Sequence, residues 1–313
     1  MAGKKGLYLL CSLLISVPMT AQETNPVWLD MNQAELDAAY DQAVYAPNLE
    51  QVLARQAANS RLAREALGQP LRFRYGEQQD EGLDVYPSGE EDSPILIYIH
   101  GGTWRFGVAA DNAFAAQHLV NAGFNYVVPD FSSVQVFAGD LEGLVGQLQR
   151  AVAWVYEHAD EFGGDTQRIY LAGFSSGAHL AGVLLTTDWL AMGLPPDPFK
   201  GALLCSGMYD MTPVALSFRR EFVKLNEDNI PRLSPQSNLK SINTPLLVAY
   251  GTRETPEFQR QARDFVEALQ SVGKPADLVV GEEYNHFEII ETLGNPYGIL
   301  GNAVRDLLAG RVP

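Results

Sequence analysis

Short apolar runs separated by helical stretches are the feature that most constrains the fold of this chain. Residues 95–99 read Ile-Leu-Ile-Tyr-Ile, without the polar alternation of a half-exposed strand. Strands buried on both faces have this pattern, and helices between them favour a parallel sheet covered on both sides. The expected fold class is α/β, with two antiparallel strands before a mostly parallel sheet. Strands are predicted at 71–75, 83–86, 95–99, 126–128, 169–172, 201–205, 246–250 and 277–280.

The helical stretches complete the predicted organisation. We expect residues 22–313 to form one domain, in which residues 22–70 are an N-terminal helical extension. The stretch 209–241 breaks the strand–helix rhythm with Pro213, Pro231 and Pro235, and is expected to be a lid over a site. Helices are predicted at 33–45, 49–67, 112–121, 141–158, 176–186, 257–272 and 297–308.

The first residues have the pattern of a secretory signal peptide. Lys4 and Lys5 precede an apolar run over residues 7–17. The small residues Thr20 and Ala21 follow the run, as is typical of a cleavage site. The run is shorter than the ~20 apolar residues that a membrane-spanning helix needs. We expect residues 1–21 to be a leader that is cleaved near Ala21. The mature protein is then expected to be secreted or periplasmic, without stable insertion in a membrane. An uncleaved anchor is the alternative.

Charge and cysteine content narrow the partners. Lys and Arg number 22 against 38 Asp and Glu, and the formal net charge of −16 disfavours nucleic acid as a partner. Once the leader is removed, Cys205 is the only cysteine, so no intramolecular disulfide can form. Its apolar neighbours favour a small buried side chain over a nucleophile.

A candidate nucleophile lies where a predicted strand meets a predicted helix. Residues 173–177 read Gly-Phe-Ser-Ser-Gly, and of the two serines only Ser175 has glycine two positions before and two after. A Gly-x-Ser-x-Gly turn in this context exposes a serine on a sharp, strained turn. Because small residues are common in turns, the motif by itself also fits an ordinary turn.

A second glycine motif follows the strand at 95–99. His100-Gly101-Gly102-Thr103-Trp104 places glycines where backbone N–H groups can approach a substrate closely. Such donors stabilise the negative charge that develops on an attacked carbonyl oxygen. The candidate oxyanion donors are Gly101 or Gly102 together with Ser176. A tight surface turn is the alternative.

A serine hydroxyl needs a base, and His286 is the candidate among the five histidines. Where such a turn supplies the nucleophile, the acid and then the histidine follow it along the chain, and His286 comes just after the last strand. His100 belongs to the glycine loop, His118 and His158 lie in ordinary helical stretches, and His179 is expected to make a structural hydrogen bond.

The acid that orients this histidine is expected just after the strand at 246–250. Glu254 lies in that loop and is our candidate. Glu257 is a rival, but its place after Pro256 suits the first turn of a helix, where a carboxylate is favourable. Asp210, after the preceding strand, is a second rival.

These motifs together resemble the arylformamidase (kynurenine formamidase)-like branch of the α/β-hydrolases, close to esterases and lipases with a His-Gly-Gly loop. The resemblance is carried by residues 100–104, 173–179, 254–261 and 285–291. It implies the α/β-hydrolase fold and an acyl-enzyme mechanism with no metal or organic cofactor. Two departures stand out: Glu254 replaces the aspartate usual in formamidases, and Thr103 follows Gly102 where related lipases have a third glycine.

Neither the fold nor the catalytic residues choose the substrate. An exported hydrolase is expected to meet foreign esters, so we favour a small-molecule substrate, an acyl or aryl carboxylic ester, over the N-formyl amide of an arylformamidase. A non-catalytic binding protein on the same fold is the third possibility. Trp104, Phe174 and Tyr209 are candidate pocket residues. The sequence does not specify the oligomeric state.

Overall fold

The computed structural model describes residues 25–311. The expected leader at 1–21 lies outside the described residues and stays a prediction. Within residues 25–311, no helix combines the length and apolar character needed to cross a bilayer.

One eight-stranded sheet organises the molecule, and it confirms the predicted fold class. In space the strands follow the order β1-β2-β4-β3-β5-β6-β7-β8. β1 pairs antiparallel with β2 and β2 antiparallel with β4, while every other pairing is parallel. The strands are β1 (Leu71–Arg74), β2 (Gly82–Tyr86), β3 (Ser93–Ile99), β4 (Asn125–Pro129), β5 (Gly164–Phe174), β6 (Phe199–Cys205), β7 (Leu246–Gly251) and β8 (Ala276–Gly281).

Ten α-helices accompany the strands within the described part of the chain. They are α1 (Gln33–Ala39), α2 (Leu49–Leu67), α3 (Ala116–Asn121), α4 (Leu141–Glu157), α5 (Ser176–Leu184), α6 (Thr212–Leu216), α7 (Ile230–Leu233), α8 (Pro256–Ser271), α9 (His286–Glu291) and α10 (Ile299–Leu308).

Two predicted helices are divided. The helix expected over 33–45 ends at Ala39, and a separate 3₁₀ turn follows because the Asp41 carboxylate accepts a hydrogen bond from the N–H of Ala43. Similarly, the helix expected over 112–121 begins as the 3₁₀ segment Ala109–Ala115, which has non-helical backbone at Asn112, and continues as α3.

The core lies on both faces of the sheet, as strands of this composition require. Successive side chains of a strand point to opposite faces. Ile97 and Ile99 belong to one buried cluster, whereas Leu96 and Tyr98 belong to the other. Both faces are therefore packed, and polar chemistry is concentrated in the loops at the strand ends.

The N-terminal helices pack on the body of the molecule. Gln56 on α2 donates a hydrogen bond to the backbone oxygen of Phe287, 3.0 Å away, and Arg55 forms an ion pair with Glu291. Both partners belong to α9. The segment 209–241 carries α6 and α7, and its role as a moving lid stays a prediction.

Candidate active site

Ser175 lies at a strained turn between β5 and α5. Its backbone has φ 54° and ψ −123°, an unusual conformation for a residue with a side chain. The flanking glycines make the turn possible. A Cβ on Gly173 would lie 2.5 Å from the oxygen of Gly177, and a Cβ on Gly177 would lie 2.2 Å from the oxygen of Ile99. The motif is thus enforced by backbone-to-backbone packing, which supports it against the ordinary-turn alternative.

Ser175 is joined to two residues that are distant in sequence. Nε2 of His286 lies 3.0 Å from the hydroxyl oxygen of Ser175, and Nδ1 of His286 lies 2.8 Å from a carboxylate oxygen of Glu254. All three side chains are at least 95% buried. The structure therefore brings the three expected residues into one hydrogen-bonded chain.

The carboxylate of Glu254 is held by two further donors. Its other oxygen accepts from the hydroxyl of Ser206 at 2.6 Å and from the N–H of Gly251 at 2.7 Å. Ser206 follows β6 directly and has φ 56°, in the left-handed region that residues with a side chain seldom adopt. Our sequence reasoning missed Ser206, because nothing in the sequence signals an unusual backbone angle at a serine.

A short helix that the sequence analysis omitted begins at the histidine. Asn285 caps α9 by accepting from the N–H groups of Phe287 and Glu288, and Glu288 reciprocates to the N–H of Asn285. This reciprocal arrangement is a capping box. The Asn285-x-x-Glu288 spacing was the available signal, and the cap fixes the backbone from which His286 projects.

The glycine loop is held beside the serine turn by unusual backbone. Gly102 has φ 121°, and Thr103 and Trp104 have φ 55° and 60°. The N–H of Trp104 donates to the hydroxyl of Ser176 at 3.2 Å, which joins the loop to the start of α5. A Cβ on Gly101 would lie 3.1 Å from the Cβ of Ser175. Gly101 and Ser176, two of the three expected oxyanion donors, therefore adjoin Ser175, and Gly102 follows Gly101 in the loop.

A second hydrogen-bonded chain holds the glycine loop through the side chain of Trp104. The indole N–H of Trp104 donates to Nδ1 of His179 at 3.1 Å, and Nε2 of His179 donates to the oxygen of Leu233 at 2.8 Å. Burial lowers the pKa of His179 to about 4, so its ring is neutral and can accept from the indole. This is the structural role expected for His179.

Within residues 25–311, the side chains of the remaining histidines form no hydrogen bond with Ser175. His100 donates from Nδ1 to the oxygen of Gly101 at 2.8 Å and stacks on Phe131, and burial lowers its pKa. His118 lies on α3, and His158 pairs with Glu161 near the surface. His286 is therefore the histidine positioned to act on the serine.

The rival acids have other partners. Glu257 accepts from the guanidinium of Arg260 at 2.7 Å and from the hydroxyl of Tyr40 at 3.2 Å, within the first turn of α8. Asp210 lies two residues before α6, and its carboxylate accepts from the N–H of Thr212 at 2.9 Å. Neither rival forms a hydrogen bond with His286 in the described structure.

A cavity of about 520 Å³ opens beside the serine turn. Phe174 lines it, as predicted, and stacks obliquely on His286 with ring centroids 4.8 Å apart. Helix α2 forms one wall, which sequence reasoning could not foresee because that helix is about 120 residues from the serine. The lining comprises Leu49, Leu53, Gln56, Ala57, Tyr98, Gly101, Gly102, Phe106, Gly107, Asp111, Asn112, Phe114, Phe174, Phe287 and Ile290.

Two of the three predicted pocket residues lie elsewhere. Tyr209 is fully buried, stacks on Phe265 with centroids 4.3 Å apart, and directs its hydroxyl to the oxygen of Leu204. Trp104 borders a separate cavity of about 330 Å³. The ring of Tyr209 is packed in the apolar core, so the expectation that Tyr209 lines the pocket is wrong.

The chain is similar in sequence to known hydrolases. A family model described as BD-FAE matches residues 83–190. The chain is 33% identical to the kynurenine formamidase of Danio rerio over 280 residues, which cover 85% of this chain and 93% of the relative. This chain belongs to the kynurenine formamidase family of α/β-hydrolases. The family places it among hydrolases.

Other relatives of this formamidase-family hydrolase carry different names. It is 25% identical over 239 residues to an isoprenylcysteine alpha-carbonyl methylesterase of Arabidopsis thaliana, covering 69% of this chain and 56% of the relative. A solved structure of a putative thioesterase from Silicibacter sp. matches with TM-score 0.76 and 25% identity, over 88% of this chain and 98% of that one. The fold thus occurs in proteins named for formamide, ester and thioester substrates.

Proposed function

We propose that this chain is a serine hydrolase that cleaves small acyl or aryl carboxylic esters through an acyl-enzyme intermediate. The observation that carries the proposal is the continuous hydrogen-bonded chain from Ser175 through His286 to Glu254, with distances of 3.0 and 2.8 Å. A nucleophile, a base and an orienting acid in this geometry are the requirements for acyl transfer by serine.

In the first half-reaction the hydroxyl oxygen of Ser175 attacks the carbonyl carbon of the ester. His286 takes the hydroxyl proton at Nε2, and the negative charge of Glu254 stabilises the imidazolium that forms. The carbonyl π electrons move onto oxygen. When the tetrahedral intermediate collapses, the bond to the leaving alcohol breaks and His286 returns the proton to that alcohol.

The oxyanion is bound by backbone N–H groups. Ser176 begins α5, so its N–H is one of the helix-terminal donors that lack an intrahelical partner. Gly101 or Gly102 supplies the second donor from the facing loop. Each such donor contributes roughly 3–4 kcal/mol of transition-state stabilisation in comparable enzymes.

In the second half-reaction a water molecule attacks the acyl-Ser175 carbonyl. His286 removes a proton from that water, and the resulting hydroxide oxygen forms the new bond to carbon. Collapse of the second tetrahedral intermediate breaks the bond to the serine oxygen, which recovers its proton from His286. The products are a carboxylic acid and the free enzyme.

An arylformamidase is the second candidate, because the formamidase of Danio rerio is 33% identical to this chain over most of both sequences. The same residues can cleave an N-formyl anilide, in which a small formyl group is transferred and an aniline leaves. The decisive comparison is kcat/KM for N-formylkynurenine against that for a short aryl ester such as phenyl acetate. A clear preference for the formamide would reverse our order of candidates.

Release of p-nitrophenol from its acetate and butyrate esters tests the serine hydrolase proposal. We expect saturable turnover by the native chain and none above background for Ser175→Ala. A Ser271→Ala variant is the matched control, since it removes an exposed hydroxyl on α8 that bonds to the oxygen of Ala268 and not to Ser175, His286 or Glu254. No turnover by the native chain would instead support a non-catalytic binding protein, and equal turnover above background in both chains would exclude Ser175 as the nucleophile.

We also propose that the chain is exported after cleavage near Ala21. The support is the basic start and apolar run of residues 1–21. N-terminal sequencing of the protein recovered from the periplasm or medium tests this, with Gln22 as the expected first residue. An intact Met1 on membrane-bound protein would favour the uncleaved anchor.

A further inference from the structure

A buried cation lies next to the glycine loop. Arg219 belongs to the 3₁₀ turn Phe218–Glu221 in the predicted lid segment and is 3% exposed. Its guanidinium donates to the oxygen of Tyr40 at 3.0 Å and to Sδ of Met208 at 3.4 Å, whereas Nε has no hydrogen-bond partner in the described part of the chain. Neither partner is charged. A buried cation without a carboxylate is costly to the folded state, so packing alone does not favour an arginine here.

Three buried aromatic rings lie close to this cation. The Cζ of Arg219 lies 5.4 Å from the ring centroids of Tyr40 and Trp104 and 5.9 Å from that of Phe258. All three rings are at most 1% exposed. A cation within about 6 Å of an aromatic face is attracted to it, most strongly to tryptophan and away from water. The aromatic rings therefore take the place of a carboxylate as partners of Arg219.

Trp104 connects the cation to the glycine loop. Its backbone N–H donates to the hydroxyl of Ser176 at 3.2 Å, and its indole N–H donates to Nδ1 of His179 at 3.1 Å. The indole is thus held both by a hydrogen bond to His179 and by the charge of Arg219. Gly102, a candidate oxyanion donor, lies two residues before Trp104. A shift of the indole is therefore expected to move the backbone that carries this donor.

The guanidinium is charged at neutral pH. Burial lowers the pKa of Arg219 to about 10, which still leaves the side chain protonated. Burial is also the main cause of the low pKa of His179, and the charge of Arg219 lowers that pKa further. Neutral His179 is the form that accepts from the indole. The cation therefore favours the hydrogen bond that holds Trp104.

We propose that Arg219 is a positioning residue, whose charge holds the ring of Trp104 and with it the glycine loop that carries oxyanion donors. The inference rests on the proposed function, because that function gives the loop its task. It assigns the segment 209–241 a fixed contact with the site. Since the donors act on charge that develops only in the transition state, loss of Arg219 should lower kcat and leave KM little changed.

Arg219→Met tests the charge with little change in side-chain length. We would measure p-nitrophenyl acetate hydrolysis per serine labelled to completion by a fluorophosphonate, so that unfolded chains are not counted. We expect kcat to fall about tenfold, because a misplacement of about 1 Å can cost up to about 100-fold. The Ki of 2,2,2-trifluoroacetophenone, whose adduct with serine carries an oxyanion, should rise by a similar factor. Arg219→Lys keeps a cation beside the rings and should recover most of the kcat.

Arg263→Met is the matched control, because Arg263 is an exposed arginine whose guanidinium lies over the ring of Tyr250, 5.7 Å from its centroid. Its kcat should stay native. The proposal is overturned if Arg219→Met keeps the native kcat, if its KM rises instead, or if Arg219→Lys loses as much activity as Arg219→Met. Arg219→Gln takes the place of Arg219→Met if that variant does not fold. Failure of both neutral variants to fold would show a structural role and contradict the proposal.

Exchange of the Trp104 indole proton with deuterated solvent is a readout that needs no turnover. Its resonance is the one of four tryptophan signals that disappears in Trp104→Phe. We expect this proton to exchange at least about tenfold faster in Arg219→Met than in the native chain, because a loosened loop opens more often. An equal rate would overturn the proposal. A native chain without ester turnover, but with the expected difference in exchange, would contradict the proposed function and leave the contact of Arg219 with the loop intact.

Discussion

Replacement of Glu254 by glutamine tests the orienting acid with the least change in shape. The native carboxylate accepts three hydrogen bonds, from His286, Ser206 and the N–H of Gly251. A glutamine amide has one acceptor oxygen and one donor nitrogen. If the amide nitrogen faces Ser206 and Gly251, it places a donor against the N–H donor of Gly251, and the native hydrogen bond is lost. If it faces His286, it forces the proton of the ring onto Nε2.

The second orientation removes catalysis directly. His286 protonated at Nε2 presents a donor to Ser175 and cannot accept the hydroxyl proton. In a trypsin-like protease the corresponding change lowers kcat by about 10⁴, which is about 5.5 kcal/mol in the activation free energy. We expect a loss of the same order for Glu254→Gln in p-nitrophenyl acetate hydrolysis, with thermal unfolding as a check on folding.

Glu257→Gln is the matched control, because Glu257 is also a buried glutamate but pairs with Arg260 and Tyr40. We expect its kcat to stay within a few-fold of the native value. If the substitution has an effect, we expect it on the stability of the protein. A kcat for Glu254→Gln within about tenfold of native would refute the orienting role. A larger loss in Glu257→Gln would move the acid to that position.

Three further variants probe the scaffold. Gly177→Ala places a Cβ 2.2 Å from the oxygen of Ile99, so we expect destabilisation of at least about 3 kcal/mol in urea unfolding, and native stability would contradict the packing argument. Ser206→Ala removes one donor from Glu254 and should lower kcat by about tenfold with KM little changed, whereas an unchanged kcat would show that the donor is dispensable. Because the pKa of His179 falls from 6.5 to about 4 on folding, its contribution to stability is full above pH 6.5 and is lost as the pH falls toward 4. Between pH 6.5 and 4 this residue should lower the free energy of unfolding of the native protein by about 3 kcal/mol. A His179→Gln variant whose stability falls as steeply with pH would contradict this expectation.

The sequence predicted the sheet and the serine turn well because both are set by local pattern. Runs such as residues 95–99 are typical of strands buried on both faces, and parallel sheets are usually covered in this way. The glycines around Ser175 prevent backbone collisions, which is a property of the residue type itself. Glu254 could be preferred over Glu257 because Pro256 indicates a helix start between them.

Other features depend on tertiary packing and left no local signal. Ser206 becomes a partner of Glu254 only through its left-handed backbone. From the sequence, Tyr209 could line a pocket or lie in the core. In the structure its ring stacks on Phe265 in the core. The wall formed by α2 depends on how distant segments pack, and it brings the N-terminal helices to the candidate site.

The most direct test of the account is the site of covalent modification by a fluorophosphonate, which reacts with an activated serine. Intact-mass measurement should show one phosphonyl group per chain, and peptide mapping should locate it on Ser175. Labelling should be absent in Ser175→Ala and strongly slowed in Glu254→Gln. An unlabelled native chain, or a label on another residue, would contradict the claim that Ser175 is an activated nucleophile.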